Sequence, residues 1–189
     1  MSDHTTRRGL LLGAAAASVG LLFAGRARPG RAQEPSPEAR VRALGLEIPE
    51  PYDPVATYRP AVTAGDLLFV SGHTPRRPDG TASFVGKVGA ELTPEEGREA
   101  ARLVGLLVLG TLRGALGSLD RVERLVRTFG MVNAVPDFQD QPRVVNGFSD
   151  LMTEVFGPDA GKGVRAAVGM GSLPGGMAVE VETIWKLRS

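Results

Sequence analysis

A long amphipathic helix limits what this chain can fold into. It begins at Thr93-Pro94-Glu95-Glu96. Thr93 suits the N-cap, and Pro94 suits the first helical position, where a missing N–H costs nothing. Glu96 can reach back to the cap and complete a capping box. The positions Ala100, Leu103, Val104, Leu107, Val108, Thr111, Leu112 and Leu116 then recur at the helical period until Gly117, a helix stop. A stripe this wide has to be deeply buried against a sheet, so the rest of the chain is read for strands.

Ala61–Thr63 and Leu67–Ser71 flank Gly65-Asp66, a hairpin pattern. Alternation leaves two choices for its open face: Leu67 and Phe69 beside Ser71, or Leu68 and Val70 beside Gly72. His73 to Gly80 reads as an exposed loop, and Ser83–Val88 as a third strand weakened by Gly86 and Gly89. A strand follows over Val122–Val132. Gln141–Phe156 carries a second 3.6-residue stripe, closed by Gly157-Pro158. Last come two β-like runs, Val164–Met170 and Met177–Lys186, around Gly171–Gly176, which reads as another hairpin. The order ββ(β)-α-β-α-ββ predicts an α+β fold, a mixed β-sheet with two helices packed on one face.

The last hairpin holds the candidate chemistry. Val179, Val181 and Thr183 share one face of their strand, and Glu180 and Glu182 share the other. Arg165 falls with Ala167 and Gly169. Such charges can be merely solvated. They can also form an anion site, because a guanidinium fork binds a carboxylate through two hydrogen bonds. Other motifs are weaker. Gly157-Pro158-Asp159-Ala160-Gly161-Lys162 is one residue short of a phosphate loop, lacks the following Ser or Thr and follows a helix. Gly169-Met170-Gly171 lies between strands and is no dinucleotide fingerprint. With no cysteine and His73 the one histidine beyond the N-terminal segment, no metal and no cofactor are expected. His73 itself reads as a loop histidine lining a cleft.

The N-terminus adds a location. Arg7-Arg8 precedes an apolar run through Ala24, with small residues at Gly30-Arg31-Ala32 for cleavage after Ala32. This is the pattern of a twin-arginine signal peptide over residues 1–32, so a periplasmic or secreted protein with no stable membrane insertion after cleavage is expected. Removing that segment takes away five Arg and one Asp, turning a net charge of +1 into −3. A mildly acidic domain lacks the footprint of a nucleic-acid binder. Residues 33–57 form a Pro- and Glu-rich extension, with a short helix at Pro37–Leu44 ended by Gly45 and lying on the domain surface. The domain proper is expected over residues 58–187.

Tyr58, then Ser71-Gly72 thirteen residues later, then Asn146, Arg165, Leu173-Pro174 and Val179-Glu180-Val181-Glu182 form an ordered set. Over about Ala56 to Lys186 this set resembles the RidA/YjgF family, and Asn146-Gly147-Phe148-Ser149-Asp150 looks like a longer branch of it. The resemblance implies a chorismate-mutase-like (RidA-like) fold, a homotrimer and ligand clefts between subunits. It implies a deaminase that hydrolyses 2-imino or enamino acids to 2-oxo acids and ammonia. Arg165 would hold the substrate carboxylate and Glu180 would orient or activate water. Tyr58, Ser71, Gly72, His73, Asn146 and Ala167 would line the pocket. His73 stands where the family commonly has Gln, and Ala166-Ala167 where Ser and Cys are common, which leaves the substrate open. The alternative is a non-catalytic module of the same fold that binds small carboxylates. RNA cleavage, a role assigned to some members, fits the charge least.

Overall fold

The computed structural model describes residues 34–51, 54 and 56–189; the expected signal segment, residues 1–32, lies outside the described residues. The described elements are α1 (Pro37–Ala43), β1 (Ala61–Ala64), β2 (Leu67–His73), α2 (Pro94–Leu116), β3 (Val122–Asn133), α3 (Gln141–Ala160), β4 (Val164–Met170) and β5 (Val179–Leu187). They form an α+β fold. One five-stranded mixed sheet has the order β1-β2-β5-β3-β4, in which only β3 and β4 run parallel. The helices pack on the sheet.

The helix starts follow the local chemistry. The Thr93 hydroxyl accepts from the Glu96 N–H while the Glu96 carboxylate accepts from the Thr93 N–H, and Gly117 ends α2 in the left-handed region at φ 79°. In α3 the helical path breaks at Gly157, φ 86°, with Pro158 starting a last turn. The α2 stripe is wide because three surfaces share it. Val104, Val108 and Leu112 join the core against the sheet. Gly105 lies close to Leu151 and Phe148 of α3, and Gly110 lies close to the backbone of Pro49. On the sheet side, Val179, Val181, Thr183 and Trp185 are fully buried, and the Trp185 indole donates to the Thr183 hydroxyl at 2.8 Å.

Three expectations are corrected. Ser83–Val88 forms no strand: it makes only single bridges, Val85 to Met177 and Val88 to Leu92 and Ala134. Phe84, Gly86 and Gly89 have φ values of 51°, 132° and 92°, which no extended strand can hold. Second, the last two runs make no hairpin. The strand β5 inserts between β2 and β3, pairing with both, while β4 pairs with β3 alone at the sheet edge. Inserting β5 gives its buried residues Val179, Val181 and Trp185 a ladder on both sides, which a terminal hairpin would not provide. Third, the 33–57 extension does more than lie on the surface. Val41 is 4% exposed within the core, and Leu46 and Ile48 pack against it. The Glu38 carboxylate accepts from Arg113 Nε and Nη2, at 3.2 and 2.8 Å, and from the Leu119 N–H at 3.0 Å.

Candidate functional site

The site grows out of a bulge in β2. Val70 pairs with Thr183 of β5 and His73 with Val181, so Ser71 and Gly72 together oppose one residue, Glu182. The extra residue resets the alternation. Ser71 and Gly72 line a cavity, while His73 turns to the helix side and is fully buried. His73 is therefore neither in a loop nor among the residues that line the cavity. Its Nδ1 faces the Ser71 carbonyl at 2.8 Å, which can only accept, so Nδ1 carries the proton and Nε2 accepts from the Thr111 hydroxyl at 2.8 Å. Burial holds its pKa below the ordinary range, against the weaker upward pull of the Ser71 carbonyl. A neutral imidazole thus ties the end of β2 to α2.

The cavity has a volume of about 570 Å³ and is lined by Tyr58, Ser71, Gly72, Pro174 and Glu180, with Leu107 of α2 below. Glu180 enters from β5. A Cβ on Gly72 would sit 1.9 Å from Glu180 Oε1, so the carboxylate lies where only glycine leaves room. Partial burial, and then the neighbouring Glu182 charge, hold the Glu180 carboxyl above the usual carboxylate range. Glu182 is paired with Arg127 at 2.9 Å across β3, and that guanidinium lies 5.1 Å from the Phe129 ring centre. The Ser71 hydroxyl is buried and has no hydrogen-bond partner among the described residues, which leaves it available to a ligand.

Arg165 belongs to another surface. It pairs with Thr128 of β3, whose side chain is buried under the helices, whereas Glu180 pairs with Met131 on the opposite face. Its Nη1 donates to Asn146 Oδ1 at 2.8 Å and to the Ser149 hydroxyl at 3.1 Å, both on α3. Ala167, in register with Gly130, faces the same side and packs against the core. One chain therefore brings together Tyr58, Ser71, Gly72 and Glu180, and separately Asn146, Arg165 and Ala167. Of the described residues, no group of three His, Cys, Asp or Glu side chains could hold a metal ion.

Sequence reasoning missed part of the lining. Pro49 and Glu50 of the extension form one wall, and Arg76, Arg77 and Pro78 another. No periodicity marks these residues. The nearest signal was Gly110 on the α2 stripe, where a Cβ would lie 2.3 Å from the Pro49 oxygen. Lys87 was also missed. Its ammonium donates to Asn133 Oδ1 at 2.9 Å and the Gly171 carbonyl at 2.7 Å, which holds the turn that carries Pro174.

A five-stranded α+β sheet with an acidic side chain laid across a glycine bulge defines a narrow class, and comparison with known proteins agrees. Residues 38–176 match the family model described as "YjgF/chorismate_mutase-like, putative endoribonuclease". The chain belongs to this YjgF/RidA family. It is 41% identical over 151 residues to "Protein TCP17" of Trypanosoma cruzi, covering 80% of this chain and 94% of that one. It resembles a solved structure from Shewanella oneidensis, titled a "putative endoribonuclease", with TM-score 0.76, 32% identity, and 80% and 99% of the two chains covered. It also resembles a protein of unknown function from Agrobacterium tumefaciens, with TM-score 0.72, 35% identity, and 80% and 94% covered.

Proposed function

We propose that the protein is a deaminase that hydrolyses 2-imino or enamino acids to 2-oxo acids and ammonia, in a site shared between subunits of a homotrimer. The observation that carries the reading is Glu180, a carboxyl with a raised pKa laid over Gly72 beside the unpartnered Ser71 hydroxyl. A base with that shift is better matched to proton transfer near neutral pH than an ordinary glutamate. Glu180 takes a proton from water as the oxygen bonds to the imine carbon. That proton goes to the nitrogen, giving a carbinolamine. Glu180 then takes the hydroxyl proton and passes it to the amine nitrogen, and the C–N bond breaks as the C=O bond forms, releasing ammonia and the 2-oxo acid.

The substrate carboxylate needs a fixed cation. Arg165 on one chain faces away from that chain's Glu180, so in this reading it serves the cavity of a neighbouring subunit. Asn146 and Ser149 are neutral partners that aim the guanidinium without cancelling its charge. The open sheet face supports association: Val62 and Phe69 are 48% and 42% exposed there, with Phe129, Met131 and Ile184 on the same face. The exported location implied by Arg7-Arg8 belongs to the same proposal, and fractionation of cells making Arg7→Lys/Arg8→Lys protein checks it.

The test is semicarbazide trapping of imines generated by an amino-acid oxidase, with and without the protein. A shortened imine lifetime, lost in Glu180→Gln, is the expected result; an unchanged lifetime across several amino acids rejects the deaminase. Retained binding of 2-oxo acids without turnover would instead favour a carboxylate-binding module. Labelled RNA incubated across a salt series decides the ribonuclease activity named in the family description.

A further inference from the structure

The cavity holds cations of its own that the deaminase reading does not use. Arg76 and Arg77 line it from a small hairpin in which Arg76 bridges Ala82. The Arg77 N–H donates to the Thr81 carbonyl and the Gly80 N–H to the Arg77 carbonyl, both at 2.9 Å. The Asp79 carboxylate closes the turn, accepting from the Thr81 N–H at 2.9 Å and hydroxyl at 2.6 Å. Among the described residues each guanidinium is hydrogen-bonded through one nitrogen, Arg76 to the Gly80 carbonyl at 3.0 Å and Arg77 to the Ala82 carbonyl at 2.9 Å, and Arg77 also attracts the Asp79 carboxylate. Neither appears among the ion pairs of the described residues. Two permanently charged forks thus border the cavity from one braced turn, with donors to spare. Two carboxylates, Glu50 and Glu180, also line the cavity, so it is not uniformly basic. A ligand with an acidic group at one end has one favourable orientation.

Building on the deaminase reading, we infer that the preferred substrates carry a second anionic group, as the imines of acidic amino acids do, and that Arg76 and Arg77 bind this distal group. The cavity volume of about 570 Å³ is generous for a two- or three-carbon imino acid. The reacting carbon lies at the Glu180 end and the distal charge at the hairpin. Arg165 of a neighbouring chain remains the partner of the carboxylate next to the imine.

The test uses the full chain and two substrates of similar length, the imines that amino-acid oxidases make from glutamate and from leucine, read by semicarbazide trapping. The expected kcat/KM ratio favours the glutamate imine by about tenfold, the scale of one charge-assisted hydrogen bond. Arg76→Gln/Arg77→Gln should bring the ratio to about one, and Arg76→Lys/Arg77→Lys should keep most of it, because charge survives while the fork is lost. A native ratio at or below one overturns the inference, as does a double variant in which both rates fall and the ratio stays. If neither imine decays faster, the deaminase reading fails, and calorimetric titration with 2-oxoglutarate and 4-methyl-2-oxopentanoate decides this inference separately. Tighter binding of 2-oxoglutarate, lost in the Gln double variant, upholds it. Equal binding, or none, overturns it.

Discussion

Glu180 and Arg165 sit two strands apart on one sheet, in opposite kinds of surroundings. Glu180 lies on β5, which is paired on both sides, and its carboxylate rests half-buried over the β2 bulge. Arg165 lies on the edge strand β4, exposed, and points to the helix face. The Glu180 carboxyl has its environment built by its own chain: the bulge, the glycine and the repelling Glu182 are all local. The cation has only its direction built, by two neutral hydrogen-bond partners. In the proposed reading, a centre divided in this way is finished by a neighbouring subunit.

In the shared-site reading, the largest effect comes from removing the proposed assembly. Phe69→Glu puts a charge on the open apolar face. It should yield smaller particles by ultracentrifugation and abolish both 2-oxo acid binding and turnover, although it touches neither Glu180 nor Arg165. A native chain that is monomeric at micromolar concentration and still binds through Arg165 would contradict the division.

Glu180→Gln and Arg165→Ala separate the two halves and leave the open sheet face untouched. The first should lower kcat by about 10²- to 10⁴-fold, the usual worth of a general base, with binding retained. The second should lose carboxylate binding. The pH profile sharpens the contrast. Burial first, and then Glu182, raise the folded-state pKa of Glu180 above the ordinary 4.5, so activity should fall as pH drops through that raised value. Stability runs the other way. The folded chain holds this proton to higher pH than the unfolded chain does, so the group's stabilising contribution is complete below the ordinary pKa and is lost as pH rises through the raised one. Glu180→Gln should remove that dependence, and thermal melts across this pH window check it.

Gly72→Ala probes the finished half alone. Its Cβ would fall 1.9 Å from Glu180 Oε1, the far end of a flexible side chain, so the carboxylate swings away and the fold survives. A loss of up to about 100-fold in kcat is expected from that displacement, with Arg165-dependent binding unchanged. An unaltered kcat would show that the carboxylate's position over the bulge is immaterial.

Much of this was legible in the sequence because it depends on local chemistry. The capping box at Thr93 and the stop at Gly117 are written in adjacent residues and form as read, while the close expected at Gly157-Pro158 is a break after which a last turn continues to Ala160. What failed to show is long-range. The chain from Val164 to Lys186 has hairpin chemistry, and no local signal says that β5 will leave β4 and insert beside β2. That one rearrangement puts Arg165 and Glu180 on opposite faces. The β2 bulge was invisible for a related reason. Strict alternation places His73 on the same face as Ser71, and only pairing with β5 shows that an extra residue turns it into the core. The extension looked peripheral because its apolar residues are few, and its grip depends on glycines far away on α2.

Those glycines support the smallest of the predictions. Gly110 and Gly114 both lie inside α2, where Gly→Ala normally gains about 0.5–1 kcal/mol of helix stability. At Gly110 the new methyl would meet the Pro49 carbonyl oxygen at 2.3 Å, a backbone atom that cannot rotate aside. Overpacking of this kind costs about 1–3 kcal/mol, which outweighs the helix gain. At Gly114 the contact is the Pro51 ring at 2.7 Å, at a more exposed point of the extension, so a small shift relieves it. Gly110→Ala should therefore lower the melting temperature, and Gly114→Ala should leave it nearly unchanged. The two also differ in function. Pro49 and Glu50 form a wall of the cavity, so displacing them should weaken ligand binding in Gly110→Ala, while the pKa of Glu180, raised by its burial and then by Glu182, should move little if the extension adds nothing to that burial. Equal effects at the two glycines, or a pH profile that moves with Gly110→Ala, would show that the extension and the Glu180 half are not independently built.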